Sequence, residues 1–416
     1  MNKRTSLKIA IVWEQRSWGG VDSYLQYLLN NWPEPDDEIV VFYNLNNEGA
    51  LRLIKNLPHL SYVKFISFKS PFIKDDNPKN SFFLTRALRH AFIPIFLNVL
   101  TGRFIRLLES EGFDVLLAQN GGYPAAWGTL SAIFAARKVE IPVRTLVVHH
   151  RASKPGVFHN SFRGILDRMI SKAVTSIIAI SFATKETIDA NTFLLEDEVR
   201  IHVRVIHNGV PLIKAEEKNS ELRSRLVPGN SEDDLLIGIV GRIESYKGHE
   251  DLIAAFSRLP DEIQLKIRIV IIGQGSEEET TRLKKFSKKV KNGERIHFGG
   301  YIPGSSQQII GELDLLVMAT RSFEGFGLTI AEAMSVKVPV IATKVGAVSE
   351  FVNEDMVELI EPGAIDQLAL AIERFVKEPA LWKNRAIVAH EHIENFSAEK
   401  MAYEYREHLM QKISSS

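Results

Sequence analysis

Cysteine is absent from the 416 residues, which removes disulfides, zinc ribbons, thiolate clusters and thiol nucleophiles from consideration. Net charge is absent too: 51 Lys and Arg balance 51 Asp and Glu. A bulk polyanion such as duplex DNA is therefore not indicated, and no nucleic-acid partner is expected. Long apolar runs are missing. The longest uncharged apolar stretch, Ala91–Gly102, falls well short of the ~20 residues that span a bilayer. At the start of the chain, Lys3, Arg4 and Lys8 precede an apolar run of only Ile9–Trp13, too short for a signal h-region and better read as a first buried strand. The expected localisation is cytoplasmic, with peripheral attachment at the inner face of the membrane as the furthest departure. No Walker A sequence is present, which removes the usual NTPases.

What is present is ordinary globular composition, 45% hydrophobic and 25% charged, at a length that suits two or three domains of ~150 residues. Six short apolar, β-branched runs, from Lys8–Trp13 to Val203–His207, are followed by six more, from Leu235–Gly241 to Met356–Ile360. Unbroken apolar runs separated by helical patterns imply strands covered on both faces, hence parallel sheets in α/β layers. The expected organisation is one α/β domain over residues 1–210, joined by a terminal helix over 397–416. A linker over 211–234, rich in charge, Ser, Gly and Pro, follows, and then a second α/β domain over 235–396. Ligands of such sheets bind beyond the carboxyl ends of the strands, so the chemistry belongs just after each run, where two edges would face each other across a cleft.

Three places carry candidate chemistry. After the first strand, Gly19-Gly20 opens a helical pattern; paired glycines admit close backbone approach and the helix start presents N–H groups to an anion, although a plain tight turn reads the same. After Leu235–Gly241 come Arg242 and Lys247, a guanidinium fork and a point charge that could turn to one diphosphate, or stand as surface cations. The most informative segment is Glu324-Gly325-Phe326-Gly327-Leu328-Thr329-Ile330-Ala331-Glu332. Gly325 and Gly327 leave bare the N-terminus of a helix starting near Phe326, so its N–H groups can hold phosphate oxygens. Glu324 and Glu332 are acceptor-only side chains of the kind a polyol ligand needs.

Taken with His149, Asn208-Gly209-Val210, Lys247-Gly248, Gly273-Gln274-Gly275 and the Glu-x7-Glu spacing followed by Pro339-Val340-Ile341-Ala342, these residues make the chain resemble glycosyltransferase family 4. That is a group of retaining, nucleotide-sugar-dependent enzymes of the α/β GT-B fold, with two Rossmann-like domains and a cleft between them; the resemblance makes residues 1–210 the acceptor-binding domain and 235–396 the nucleotide-sugar-binding one. The resemblance is strong over Leu235–Glu350 and looser before it. It implies that Arg242 and Lys247 bind the donor diphosphate and stabilise the leaving nucleotide, and that Glu332 holds the ribose. It gives Glu324, with the backbone of Phe326, Gly327 and Leu328, the transferred sugar. His149 would lie near the sugar's hydroxymethyl group, and Gly19 and Gly20 would approach the diphosphate. It further implies a UDP- or GDP-sugar donor, a glycan or lipid-linked acceptor, attack from the face the nucleotide leaves, and no cofactor or metal; no Asp-x-Asp is present to hold one. Three positions depart from the family pattern: His150 and Pro211 stand where Asp is common, and Lys337 where Gly is usual. Between the two histidines, the strand end favours His149.

Other readings are weaker. A nicotinamide enzyme would need a third glycine where Glu278 stands after Gly273-Gln274-Gly275, and a carboxylate there would repel pyrophosphate. A GT-B nucleotide-sugar 2-epimerase and a catalytically silent glycan-binding scaffold share the expected fold. His390 and His392 stand about 200° apart on a helix, a poor geometry for a shared metal, and read as surface residues. Residues 77–108 carry Lys79, Arg86, Arg89, Arg103 and Arg106 without an acid, among Phe82, Phe83, Phe92 and Phe96. They read as a surface for an anionic membrane or as helices packed on the first sheet. Residues 1–210 hold 25 basic and 19 acidic residues, and the remainder 26 and 32, so neutrality is a cancellation between two halves.

Overall fold

In the computed structural model, residues 6–15, 18–57, 60–70, 93–154, 160–195, 201–213, 219–227 and 233–415 are described. The chain divides into two compact units, residues 1–207 with 399–416, and residues 208–398.

The first unit holds a seven-stranded sheet: β1 (Lys8–Trp13), β2 (Glu38–Asn44), β3 (Val63–Phe68), β4 (Val115–Asn120), β5 (Val143–Val148), β6 (Ser176–Ala179) and β7 (Val203–Val205). Their order is β3-β2-β1-β4-β5-β6-β7, and every neighbouring pair is parallel. All six residues of β4 and five of the six in β1 are buried, as continuous apolar runs require when helices cover both faces. Helices Ile93–Glu109, Trp127–Lys138 and Asn160–Ala173 share one core through Leu97, Phe104, Ile133, Leu166 and Ile170. The terminal helix, Ala398–Ser414, begins one residue after the expected Ser397 and belongs to this unit from Glu399 onward. Asp37 anchors it: one carboxylate accepts from Leu7 N at 2.7 Å, Trp32 Nε1 at 2.9 Å and Arg406 Nε at 2.8 Å.

The second unit holds β8 (Leu235–Val240), β9 (Ile267–Ile272), β10 (Ile296–Gly300), β11 (Leu315–Met318), β12 (Val340–Thr343) and β13 (Glu358–Ile360). The order β10-β9-β8-β11-β12-β13 is again all parallel. It is the doubly wound 3-2-1-4-5-6 arrangement, whose ligand crevice lies where strand order reverses, here between β8 and β11. The two Rossmann-like units are the α/β GT-B architecture.

Residues 211–234, expected as a linker, are in part a built piece of the second unit. Helix Ser220–Leu226, capped by Asn219, is tied down by Arg223, which donates to Glu312 O at 2.6 Å, Asp234 O at 2.8 Å and Asp314 Oδ2 at 2.8 Å. Seven residues are two turns, too short for an apolar period to show in the sequence. The contact division falls between His207 and Asn208, three residues before the expected boundary.

Candidate active site

In the second unit the carboxyl ends of β8, β11 and β12 converge on one cluster. Beyond β8, Gly241 and Arg242 lead into a single 3₁₀ turn, Ser245–Lys247, and then helix His249–Arg258. Gly248 joins them with φ +77, and a Cβ there would overlap the carbonyl oxygen of Ala319 at the end of β11. Only glycine lets the turn press so closely on the neighbouring strand. Arg321 N donates to Tyr246 O at 2.7 Å, and the Arg321 guanidinium pairs with buried Asp251. These contacts hold Lys247 where its Nζ reaches Glu324 Oε2 at 2.7 Å. Thr320 Oγ1 donates to the same oxygen at 3.2 Å, and Thr343 Oγ1 donates to Thr320 O at 2.7 Å. Glu324 is thus positioned by β11 and β12 together.

The loop after Glu324 is fixed by packing. Phe326 is buried and stacks on Phe351 at 4.6 Å, and Gly346, with φ +55, lies against the Glu324 backbone, whose carbonyl accepts from Ala347 N at 3.0 Å. The helix begins at Leu328, two residues later than expected, with Gly327 as its N-cap at φ +100. Phe326 therefore precedes the helix, and the first-turn N–H groups, which lack intrahelical partners, begin at Leu328. Glu332 occupies the second turn as expected but is only 2% exposed, and accepts from Ser306 Oγ at 2.7 Å. Arg242 pairs with Glu244 at 3.1 Å and is about half exposed. The structure thus joins Lys247 to Glu324 directly and gives Arg242 and Glu332 other partners.

The first unit places its candidates at one sheet edge as well. Gly19 is the N-cap of helix Gly20–Asn30, and Asp22 at the third helical position accepts from Gly19 N at 2.6 Å. A buried carboxylate therefore already satisfies one donor of the glycine pair, leaving the first-turn donors of the helix. Glu14, directly after β1, is half-buried and accepts from Gly128 N at 2.7 Å; its desolvation raises its pKa. His149 follows β5, with its N–H donating to Asn120 O at 2.9 Å. Its ring is 6% exposed, meets Tyr24 edge-on at 4.5 Å, and sets Nε2 2.7 Å from Gln119 Oε1. Burial pushes the imidazole down to about 3, so it is neutral at pH 7. With Nε2–H donating to Gln119, Nδ1 remains as an acceptor with no side-chain or backbone bond among the described residues.

Sequence reasoning missed Thr320, Ser306, Gln119 and Asp22. Only Asp22 left a signal, an acid three residues after an N-cap. His390 and His392, expected at the surface, are half-buried, and His390 Nδ1 lies 3.2 Å from Met334 O. Among the described residues no group of three His, Asp or Glu side chains is placed to hold a metal ion.

Residues 222–392 match the family model described as Glycosyl transferases group 1, which covers most of the second unit and the whole Arg242–Glu332 cluster. The chain is 25% identical over 296 residues to the capsular polysaccharide biosynthesis glycosyltransferase CapM of Staphylococcus aureus, covering 70% of this chain and 75% of CapM. It is 28% identical over 153 residues to the O-antigen chain mannosyltransferase B of Escherichia coli, covering 35% and 38% of the two chains. Among solved structures, Anabaena HepE in complex with UDP and glucose superposes with a TM-score of 0.74 at 18% identity, over 97% of this chain and all of HepE. The match and the relatives support a glycosyltransferase of the GT-B group 1 family.

Proposed function

We propose that the protein is a retaining glycosyltransferase that moves a hexose from a UDP- or GDP-linked sugar to a glycan or lipid-linked acceptor in cell-surface polysaccharide or glycolipid synthesis. The observation that carries the reading is the Lys247–Glu324 pair at the β8/β11 edge, 2.7 Å apart. In a nucleotide sugar the anomeric phosphate and the sugar hydroxyls are neighbours, so a cation and an acceptor-only carboxylate within one hydrogen bond of each other match the two sides of the bond to be broken.

The acceptor oxygen forms a bond to the anomeric carbon as the bond from that carbon to the phosphate oxygen breaks. The electron pair leaves with the nucleoside diphosphate, where Lys247 and Arg242 stabilise the growing charge. The acceptor's proton passes to the departing phosphate oxygen, so no side-chain base is needed. Glu324 holds the sugar hydroxyls, Glu332 the ribose, and the N–H groups at Gly327 and Leu328 the phosphate oxygens. In the first unit, neutral His149 keeps Nδ1 as an acceptor for a ligand hydroxyl, and the Gly19-Gly20 helix start keeps first-turn donors for an anion. CapM and the O-antigen mannosyltransferase, named for capsular and O-antigen synthesis, support the surface-polysaccharide assignment, and the UDP in the HepE structure supports a nucleotide donor.

The test is a thermal-shift panel of UDP, GDP, ADP and their sugars, followed by nucleotide release with and without acceptor. A stabilising ligand shifts the melt by RT ln(1 + [L]/Kd). Acceptor-dependent release with the anomeric configuration kept supports the proposal. Conversion of the donor sugar without acceptor would assign an epimerase, and no binding of any nucleotide sugar would assign a silent scaffold.

A further inference from the structure

Buried polar atoms that complete no hydrogen bond are uncommon in folded proteins, and each one needs a reason. At the carboxyl edge of the first sheet several gather around one ring. Tyr24, on helix Gly20–Asn30, is fully buried; it meets His149 edge-on at 4.5 Å and Tyr405 of the terminal helix at 5.8 Å between ring centres. Gln119 meets the same histidine, with Oε1 2.7 Å from Nε2. Among the described residues the hydroxyls of Tyr24 and Tyr405, the Gln119 amide nitrogen and His149 Nδ1 are all buried and complete no hydrogen bond. Phenylalanine would fill both tyrosine positions without burying an unsatisfied hydroxyl, which is a destabilising feature. Packing alone therefore does not account for the two tyrosines.

The polar atoms have an order. Burial pushes the Tyr24 phenol well up, Tyr405 adds to that push, and the Gln119 amide opposes it. A group that favours the phenolate acts as a donor toward its oxygen, so the Gln119 nitrogen faces Tyr24 and its oxygen faces His149. Burial also raises the Tyr405 phenol, and Tyr24 opposes that rise, which makes Tyr24 the donor toward Tyr405. Turned end for end, the Gln119 amide would offer N–H to Nε2 and drive the imidazole proton to Nδ1. That atom would then be a donor.

We infer that Gln119, Tyr24 and Tyr405 are positioning residues, which hold the Gln119 amide in one orientation and thereby keep the His149 proton on Nε2, with Nδ1 as an acceptor. The last of the three comes from the far end of the chain. The terminal helix is docked by Arg406 on Asp37 and by His408, whose Nε2 lies 3.2 Å from Ser176 Oγ, and this docking sets Tyr405 against Tyr24. The inference rests on the proposed function for the use made of Nδ1, and on the geometry alone for the order of the network. Residues 77–108 take no part in it, and 77–92 lie outside the described residues.

The experiment reads the His149 tautomer in the full chain, without ligand and near neutral pH, by long-range proton–nitrogen correlation of labelled histidines, with His149→Gln to assign the signal. Wild type should carry the proton on Nε2. Tyr24→Phe with Tyr405→Phe removes both hydroxyls and keeps both rings. It should leave the urea midpoint unchanged or higher and add a second His149 signal with the proton on Nδ1. It should also slow nucleotide release roughly tenfold with KM for the donor little changed, the scale of one lost hydrogen bond. Tyr62→Phe is the contrast: its hydroxyl donates to Leu29 O at 2.9 Å, so its loss should lower the midpoint and leave tautomer and rate as in wild type. A wild-type proton on Nδ1 would overturn the inference. So would a double variant with wild-type tautomer and rate, or one whose midpoint falls as in Tyr62→Phe, since the hydroxyls would then be structural. Tautomer and midpoint are read without donor, so their failure leaves the proposed transfer reaction standing. A wild type that transfers no sugar refutes that reaction, and the tautomer still decides the network.

Discussion

Gly346→Ala should cripple the site without touching a charged residue. Gly346 has φ +55, and an added Cβ would overlap the Glu324 carbonyl oxygen and stand 2.8 Å from the Glu324 nitrogen and 3.0 Å from its carbonyl carbon. These are backbone atoms, so no side chain can swing aside. Two effects combine. The left-handed backbone costs an L-residue about 1–2 kcal/mol, and the overlap forces the Glu324 and Gly346 segments apart by roughly 1 Å, breaking the bond from Ala347 N to Glu324 O and adding about 1–3 kcal/mol. Gly363→Ala is the matched control, since Gly363 has φ +75 but nothing within 4 Å of an added Cβ. Urea denaturation should show a loss of about 1–2 kcal/mol for Gly363→Ala and about 2–5 kcal/mol for Gly346→Ala. Nucleotide release from the donor should be unchanged in the control and about a hundredfold slower in Gly346→Ala, the scale of a 1 Å misplacement of a reacting group. Equal stability losses would refute the clash. A normal rate in Gly346→Ala would refute the claim that this contact positions Glu324.

Glu324→Ala should cut turnover at least a hundredfold with an unaltered circular dichroism spectrum, and a near-normal rate would remove it from the site. Lys247→Ala should weaken nucleotide-sugar binding by about 1.5–3 kcal/mol in calorimetric titration, the range for a charge-assisted bond. Acid should destabilise the fold early, because burial pushes His149 down to about 3 and His249 and His408 down to about 4. Below pH ~6.5 the unfolded chain binds protons that the native state refuses. The stability these rings contribute is therefore complete above ~6.5 and falls as pH drops toward 4, by up to about 1.4 kcal/mol per pH unit for each. His408→Gln should lower the proton uptake on unfolding at pH 5.5 by close to one, and an unchanged slope of stability against pH would refute the assignment.

Most of this framework was legible because buried parallel strands write themselves as unbroken apolar runs. The exception is β3, Val63–Phe68. It is an edge strand of its sheet, and Lys64 and Ser67, both exposed and on opposite faces of the strand, break the run that marks inner strands. Glu324, Glu332, Arg242 and Lys247 were legible because acids, glycines and cations after apolar runs have few other uses. Their partners were not. Gln119 meets His149 only because β4 and β5 pair with Asn120 opposite Val148, a register that nothing in a local stretch of sequence sets. Thr320 and Ser306 are ordinary hydroxyl residues until folding brings them to the two glutamates. The same holds for Tyr405, which reaches Tyr24, 5.8 Å away between ring centres, from the far end of the chain.

The charge balance takes on a sharper meaning once the units are known. The first holds 28 basic and 22 acidic residues, and the second 23 and 29, so on the proposed function the diphosphate goes to the acidic unit. A net field of that sign opposes a polyphosphate, and attraction must come from local contacts. Those contacts are self-compensated: Lys247 is engaged by Glu324 and Arg242 by Glu244. A free nucleotide offers phosphate to Lys247 and leaves Glu324, stripped of its cation, facing a second negative group. A nucleotide sugar offers phosphate to Lys247 and hydroxyl donors to Glu324, so both halves of the broken pair find new partners. The intact donor should accordingly bind more tightly than the bare nucleoside diphosphate, by about the 1.5–3 kcal/mol of one charge-assisted hydrogen bond. Glu324→Gln, which removes the repulsion and keeps the geometry, should narrow that gap in paired titrations. If the gap persists unchanged in Glu324→Gln, the carboxylate does not discriminate between the two ligands, and the exchange of partners is not how this site selects its donor.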